Sequence, residues 1–279
     1  MKWNEMRESN NVEDRRGIPG GAGSVGIGTA LVAVVLGLIF GVSPLQVLNF
    51  LQGNQGVPTS QTSSQPINDR DSAFVKSVLG DTEDTWDKIF STQLKRRYEP
   101  PKLVLFNNGV NSGCGSAQTA TGPFYCPSDR KVYLDLGFFE QVQATAGTNS
   151  DFARSYAIAH EVGHHVQTTL GISAKVRQAQ ANASPEEANA LSVRQELQAD
   201  CFAGLWAYYT AQRGLINEQD VAGALNTATQ IGDDYLQKRS RGYAVPDSFT
   251  HGSSQQRVSW FTRGLKSGDI DQCNTFASP

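Results

Sequence analysis

The sequence predicts an α+β domain, mainly helical with a small sheet, preceded by one N-terminal transmembrane helix. Three observations carry that expectation. Apolar residues recur at helical spacing between recognisable caps through the later part of the chain. Only two short stretches, Leu103–Phe106 and Val132–Leu136, read as strands. Ser24 to about Val42 is an uncharged, apolar, glycine-rich run of nineteen residues, near the lower length for a spanning helix. A chain of 279 residues divides naturally into one domain of about two hundred residues and a tether. The formal net charge of −3 offers no basic patch for nucleic acid.

Each element follows in order. Lys2, Arg7, Arg15 and Arg16 precede the apolar run, and no Lys or Arg follows it until Arg70. The positive-inside rule then makes residues 1–23 a cytoplasmic tail and puts the rest across the membrane. No Ala-x-Ala site follows the run, so residues 24–43 read as a signal anchor rather than a cleaved signal peptide. Residues 44–67 read as a flexible linker, because Gly53–Gln65 is rich in Gly, Pro, Ser, Thr and Gln and carries no charge. The domain is expected over 68–279. Its first helix, 68–95, places Phe74, Val78, Trp86 and Phe90 as apolar positions. A second helix is expected from a Ser150 cap to a stop at Gly171. A third starts at Ser184, with Pro185 at its first position and Glu187 completing a capping box, and stops at Gly214. A helix from Glu218 to Arg239, capped by Asn217, and another from Ser254 to Lys266 complete the set.

The second helix carries His160-Glu161-Val162-Gly163-His164. Residues four apart share a helix face, so two imidazole nitrogens can meet one zinc ion with Glu161 beside them as general base. Ile158, Val162 and Val166 form an apolar stripe on the opposite side, which turns the histidines toward a cleft. Gly163 flanks the histidine face, where a missing side chain lets another helix approach. His165 points about 100° away from His164 and reads as structural rather than as a ligand.

A catalytic zinc site needs a third protein ligand. A histidine six residues on is excluded, since Gln167 and Leu170 occupy the positions of the extended HExxHxxGxxH pattern. Glu196, on the third helix, fits. Asp200 lies one turn later on the same face and suits an acceptor for a ligand imidazole N–H. Taken alone, the pair would read as a solvated helix face. His251 and Arg257 follow in a later segment and could hold the oxyanion of a tetrahedral intermediate. The competing reading is a helix-entry loop capped by Ser253, with Arg257 in a surface ion pair. Cys114, Cys126, Cys201 and Cys273 form no CxxC pair, so a second zinc site is not expected. Of three possible pairings, Cys114–Cys126 and Cys201–Cys273 are favoured. The first closes a loop between two strands, and the second ties the C-terminus to the Glu196 helix. Disulfides agree with an extracytoplasmic domain, the alternative being four buried thiols.

These residues resemble the bacterial neutral zinc metallopeptidase family of membrane proteins. The resemblance spans nearly the whole chain: the charged start, the apolar run, Cys114 through Gly122-Pro123-Phe124-Tyr125-Cys126 to Asp135, His160–Gln167, Glu196–Ala203 and His251–Phe261. It implies a zincin-like fold, zinc as cofactor, and His160, His164 and Glu196 as ligands. More distantly, the order HExxH, ExxxD, then His with Arg six residues later is similar to membrane zinc proteases of the prenyl-protein-processing type. That likeness implies His251 and Arg257 near the transition state. One apolar run instead of several, and Gly252 instead of proline after His251, separate the chain from that group, so its substrates are not carried over.

The expected protein is a membrane-anchored zinc metalloendopeptidase of the bacterial inner membrane, with its N-terminus cytoplasmic and its catalytic domain periplasmic. It would cleave a peptide or protein substrate with Glu161 as general base. Two other readings stand beside it: a tethered binding or scaffold protein with a structural or vestigial zinc, and hydrolysis of a non-protein amide such as a cell-wall peptide bond.

Overall fold

The computed structural model describes residues 1–16, 69–118, 122–137 and 151–277. The strands are β1 (Val12–Asp14), β2 (Lys102–Phe106), β3 (Gly109–Ser112), β4 (Gly115–Gln118), β5 (Phe124–Cys126) and β6 (Lys131–Asp135). The helices are α1 (Asp69–Ile89, continued by wider turns to Leu94), α2 (Asp151–Thr169), α3 (Ile172–Gln180), α4 (Pro185–Gln212), α5 (Glu218–Gln230), α6 (Asp233–Arg241) and α7 (Ser254–Ser267). The expected α+β character, mainly helical with small sheets, is observed. Among the described residues no helix is long and apolar enough to cross a membrane, and the expected span 24–43 and linker 44–67 lie outside them.

The main sheet runs in the order β1-β2-β6-β5. The first three strands are parallel and β5 is antiparallel at one edge. Strand side chains alternate between faces. Leu103, Leu105, Val132 and Leu134 accordingly join the helices in the main core, while Val104, Phe106, Tyr133 and Cys126 form a smaller cluster behind. β3 and β4 make a separate hairpin, and the Cys114–Cys126 disulfide ties its turn to the end of β5.

The helices meet backbone to backbone where side chains are smallest. A Cβ on Gly163 of α2 would sit 3.1 Å from the Ala199 carbonyl oxygen of α4. One on Gly204 of α4 would sit 2.1 Å from the Phe261 oxygen of α7, and one on Gly264 of α7 would sit 2.0 Å from the Cys201 oxygen. The Cys201–Cys273 disulfide fastens the segment after α7 to α4. α4 starts on the expected capping box, Ser184 with Glu187. α1 joins α4 through buried Asp81, which accepts hydrogen bonds from Trp206, Thr210 and Arg213.

Two expectations need correction. The helix expected from Glu218 to Arg239 is two helices, broken at Ile231–Gly232. Gly232 lies against the start of α7, where a Cβ would be 2.2 Å from the Ser254 nitrogen, and the Asp233 amide leaves the helical ladder to donate to the Gly252 carbonyl. The second correction concerns the domain boundary. Residues 1–16, expected as a tail apart from a domain beginning at 68, are built into the domain. β1 extends the sheet beside β2, Trp3 donates to Asp151, Arg7 binds Glu83 and Asp84 at 2.8 Å each, and Ser9 and Asn11 reach Glu83. Gly80 of α1 makes room for this strap, since a Cβ there would be 2.1 Å from the Arg7 oxygen.

Candidate metal site

α2 is oriented by its apolar stripe. Ile158, Val162 and Val166 are fully buried, which turns His160 and His164 toward α4. The close crossing at Gly163 and Ala199 brings Glu196 over both rings. The two Nε2 atoms are 3.2 Å apart, His160 Nε2 is 3.1 Å from Glu196 Oε2, and His164 Nε2 is 3.4 Å from Glu196 Oε1. Zinc–ligand bonds of about 2.0–2.2 Å at a tetrahedral angle separate neighbouring ligand atoms by about 3.3–3.6 Å. The observed spacings agree within a few tenths of an ångström, so these three residues fit one ion. They are the only such cluster of His, Cys, Asp or Glu among the described residues.

Two polar side chains fix the rings. Asp200 Oδ1 lies 2.9 Å from His160 Nδ1. Gln167 donates its amide to the Gln195 carbonyl at 2.7 Å and to Gln198 Oε1 at 3.2 Å. Its own Oε1 therefore faces His164 Nδ1, at 2.9 Å. Each imidazole donates from Nδ1 to an acceptor and presents its Nε2 lone pair to the site. Asp200 is itself held by the Tyr156 hydroxyl and by Arg257, whose Nε is 2.8 Å from Oδ2 and whose second nitrogen is 2.9 Å from Oδ1.

The electrostatics favour positive charge on the two rings. Burial lowers the His160 pKa, but Asp200 and Glu196 outweigh it and lift the ring to about 10. His164 is raised against burial by Glu196. Burial pushes the Glu196 carboxyl up, yet the charges of His164, His160 and His251 hold it well below the usual carboxylate range. Asp200, also opposed by burial, is brought down to about 2 by Arg257 and His160. Buried Asp200 and half-buried Glu196 around two facing rings are an arrangement that a divalent metal suits. Glu161 stands beside the cluster. Burial raises its carboxyl, against the two histidines and the Tyr125 backbone N–H of β5.

Arg257 is not where the sequence reading put it. It is 3% exposed, spends its donors on Asp200, Tyr156 and the Ile231 carbonyl, and acts behind His160 rather than on an oxyanion. His251 retains an 18% exposed side chain and lies near enough for its charge to act on Glu196. His165 is structural as expected. It is buried, donates to the Glu99 carbonyl at 2.7 Å and meets the rings of Tyr98 and Tyr125 edge-on. Sequence reasoning missed Tyr156 and Gln167 as supports. Their spacing could have exposed both, since Tyr156, His160 and His164 are four apart and Gln167 follows by three.

Two histidines from α2, a glutamate from α4 and a carboxylate beside them with no ligand role have the composition of a catalytic zinc site. The chain belongs to the family described as "Putative neutral zinc metallopeptidase", whose profile matches residues 1–276, and at that level it is a hydrolase. The uncharacterized protein YpfJ of Escherichia coli strain K12 is 47% identical over 287 aligned positions, covering 99% of each chain. The uncharacterized protein Mb2605 of Mycobacterium bovis is 38% identical over 216 positions, covering 74% of this chain and 72% of its own. No solved structure matches the chain.

Proposed function

We propose a membrane-attached zinc metalloendopeptidase. The observation that carries this reading is Glu161, a carboxylate with no ligand role, standing between the His160–His164–Glu196 cluster and the backbone of an edge strand. His160, His164 and Glu196 would hold zinc. Bound there, zinc supplies a Lewis acid and activates water as a nucleophile near neutral pH. Glu161 accepts the proton of that water and returns it to the leaving amine. Burial, which raises its carboxyl, suits both directions of transfer. His251 donates to the oxyanion. Asp200, with Tyr156 and Arg257 behind it, and Gln167 keep the two rings turned inward.

The edge strand supports a peptide as the substrate. Among the described residues β5 pairs with β6 alone and stands at the edge of the sheet, with its Tyr125 N–H on Glu161. An extended peptide can add there by main-chain hydrogen bonds and lie across Glu161. Membrane attachment would run through residues 24–43, and the two disulfides suit an oxidising, extracytoplasmic compartment.

The test uses the full chain in detergent, measuring zinc content and cleavage of a peptide pool for wild type and Glu161→Gln. One zinc per chain in both proteins, with turnover lowered by about 10²–10⁴ in the variant, is the expected result. Undiminished cleavage by the variant, or folded wild type that takes up no zinc, would sink the reading. Zinc in both with no cleavage would favour a tethered scaffold.

A further inference from the structure

We infer that Asp233 is the positioning residue for His251, an inference that rests on the peptidase reading of the same site. Its Oδ2 accepts three consecutive backbone N–H groups, Thr250 at 2.8 Å, His251 at 2.7 Å and Gly252 at 3.1 Å. Its own amide donates to the Gly252 carbonyl at 2.9 Å. The remaining carboxylate oxygen lies 3.4 Å from His251 Nδ1, with the Thr250 hydroxyl 2.9 Å from the same nitrogen. Asp233 is buried, so these groups are its solvation. Gly252, at φ +91°, closes the turn against Val193 and Leu197 of α4, the residues around Glu196. The loop is therefore wound on one carboxylate, which takes the Nδ1–H and leaves Nε2 for the cleft, and the ring donates to the oxyanion as the imidazolium, with a proton on both nitrogens.

The test compares Asp233→Asn, which keeps an oxygen for the three amides but loses the charge facing the ring, in the wild-type and His251→Ala backgrounds. Turnover should fall roughly tenfold with KM little changed, and the substitution should add nothing once His251 is gone. Zinc should stay at one per chain, and nitrogen NMR of the His251 ring should show the Nδ1–H hydrogen bond weakened in Asp233→Asn. Equal losses in both backgrounds, an unchanged Nδ1–H signal or lost zinc would overturn the assignment. Wild type that binds zinc and cleaves nothing would count against the peptidase reading instead, and the ring spectrum would still decide the role of Asp233.

The strap carries a second, independent inference: residues 1–16 stand in the same compartment as the metal site. The Leu103 amide donates to the Asn11 carbonyl at 2.9 Å and the Arg15 amide to the Leu105 carbonyl at 2.8 Å, so β1 is a laddered strand of the sheet. Ser9 is buried with its hydroxyl on Glu83, and Met6 is buried too. A chain that crosses a bilayer once between Arg16 and Asp69 would place these partners on opposite sides, and no sheet can be shared through a membrane. Exchange of straps between two copies would leave the conclusion unchanged.

Single cysteines at two exposed positions, Glu8→Cys in the strap and Gln219→Cys at the start of α5, are labelled in intact cells with a membrane-impermeant thiol reagent. The native cysteines are paired and do not compete. Both positions should label, or both should label only after permeabilisation. Labelling of Gln219→Cys in intact cells, with Glu8→Cys reached only after permeabilisation, would overturn the inference, as would the reverse.

Discussion

The metal layer and the N-terminal strap rest against the same core, and they are assembled in opposite ways. The ligand helices owe their limits and faces to residues close in sequence: Ser184 with Glu187, the left-handed Gly171 and Gly214, and the stripe of Ile158, Val162 and Val166. The strap depends on partners far along the chain, with Ser9 and Asn11 on Glu83 and Val12–Asp14 beside Leu103–Leu105. Its charges show the consequence. Lys2 pairs with Glu5, Arg7 with Glu83 and Asp84, Arg15 with Glu13 and Arg16 with Asp14. Counted along the sequence they read as a positive-inside signal, yet in the fold each has a carboxylate. The charge count alone therefore does not separate a topogenic tail from a folded strand.

The comparison breaks first, and hardest, at Asp200. Asp200→Ala strands the buried Arg257 guanidinium and removes the acceptor from His160. Breaking a buried pair by removing one partner costs about 3–5 kcal/mol. Denaturant unfolding of the metal-free protein should show a loss of that size, and a change below about 1 kcal/mol would mean that water replaces the carboxylate. The strap's counterpart is Gly80→Ala, whose new methyl collides with the Arg7 oxygen. Overpacking of this kind costs about 1–3 kcal/mol. Trypsin should then cut within residues 1–16 while zinc binding is kept. Loss of zinc together with the strap would mean that the two regions are coupled. Gln167→Leu returns to the metal layer with a smaller effect. Removing an outer partner of a ligand histidine weakens zinc binding about 10–100-fold. Competition with a chelator measures this directly, and unchanged affinity would show that His164 needs no acceptor at Nδ1.

Legibility followed the same divide. His160, His164, Glu196 and Asp200 come together as their spacings implied, because each pair lies on one helix and small residues allow the two helices to touch at Gly163 and Ala199. Both favoured cysteine pairs form. Arg257 was misread because its helix position fixes a direction, not a depth, and Asp200 claims it from behind the site. The break at Gly232 was invisible because its cause is the Ser254 backbone, twenty-two residues on. β1 was invisible because three residues of strand carry no period of their own.

Glu13 offers the finest probe of the strap. Its carboxylate faces Lys131 at 2.9 Å, Lys102 at 3.5 Å and Arg15. Partial burial raises its pKa, but Lys131 and Arg15 outweigh that and bring it to about 2. A carboxyl depressed in the folded state contributes stability above its unfolded pKa, about 4.3, and that contribution is lost as the pH falls through the folded value. The strap should therefore loosen between about pH 4.3 and 2. Asp14, lowered by Arg16, acts in the same direction, so Glu13→Gln should blunt the transition rather than abolish it. At neutral pH the variant should cost less than about 1 kcal/mol, because the pairs are partly exposed. The reporters are the Leu103 and Arg15 amides, which bond across the β1–β2 ladder. Their hydrogen-exchange protection, corrected for intrinsic rates, should fall in acid for wild type and fall less for Glu13→Gln. Identical protection curves for the two proteins would mean that the ladder and the buried Met6 hold β1 without its ion pairs, and that the strap is as firmly set as the metal layer beside it.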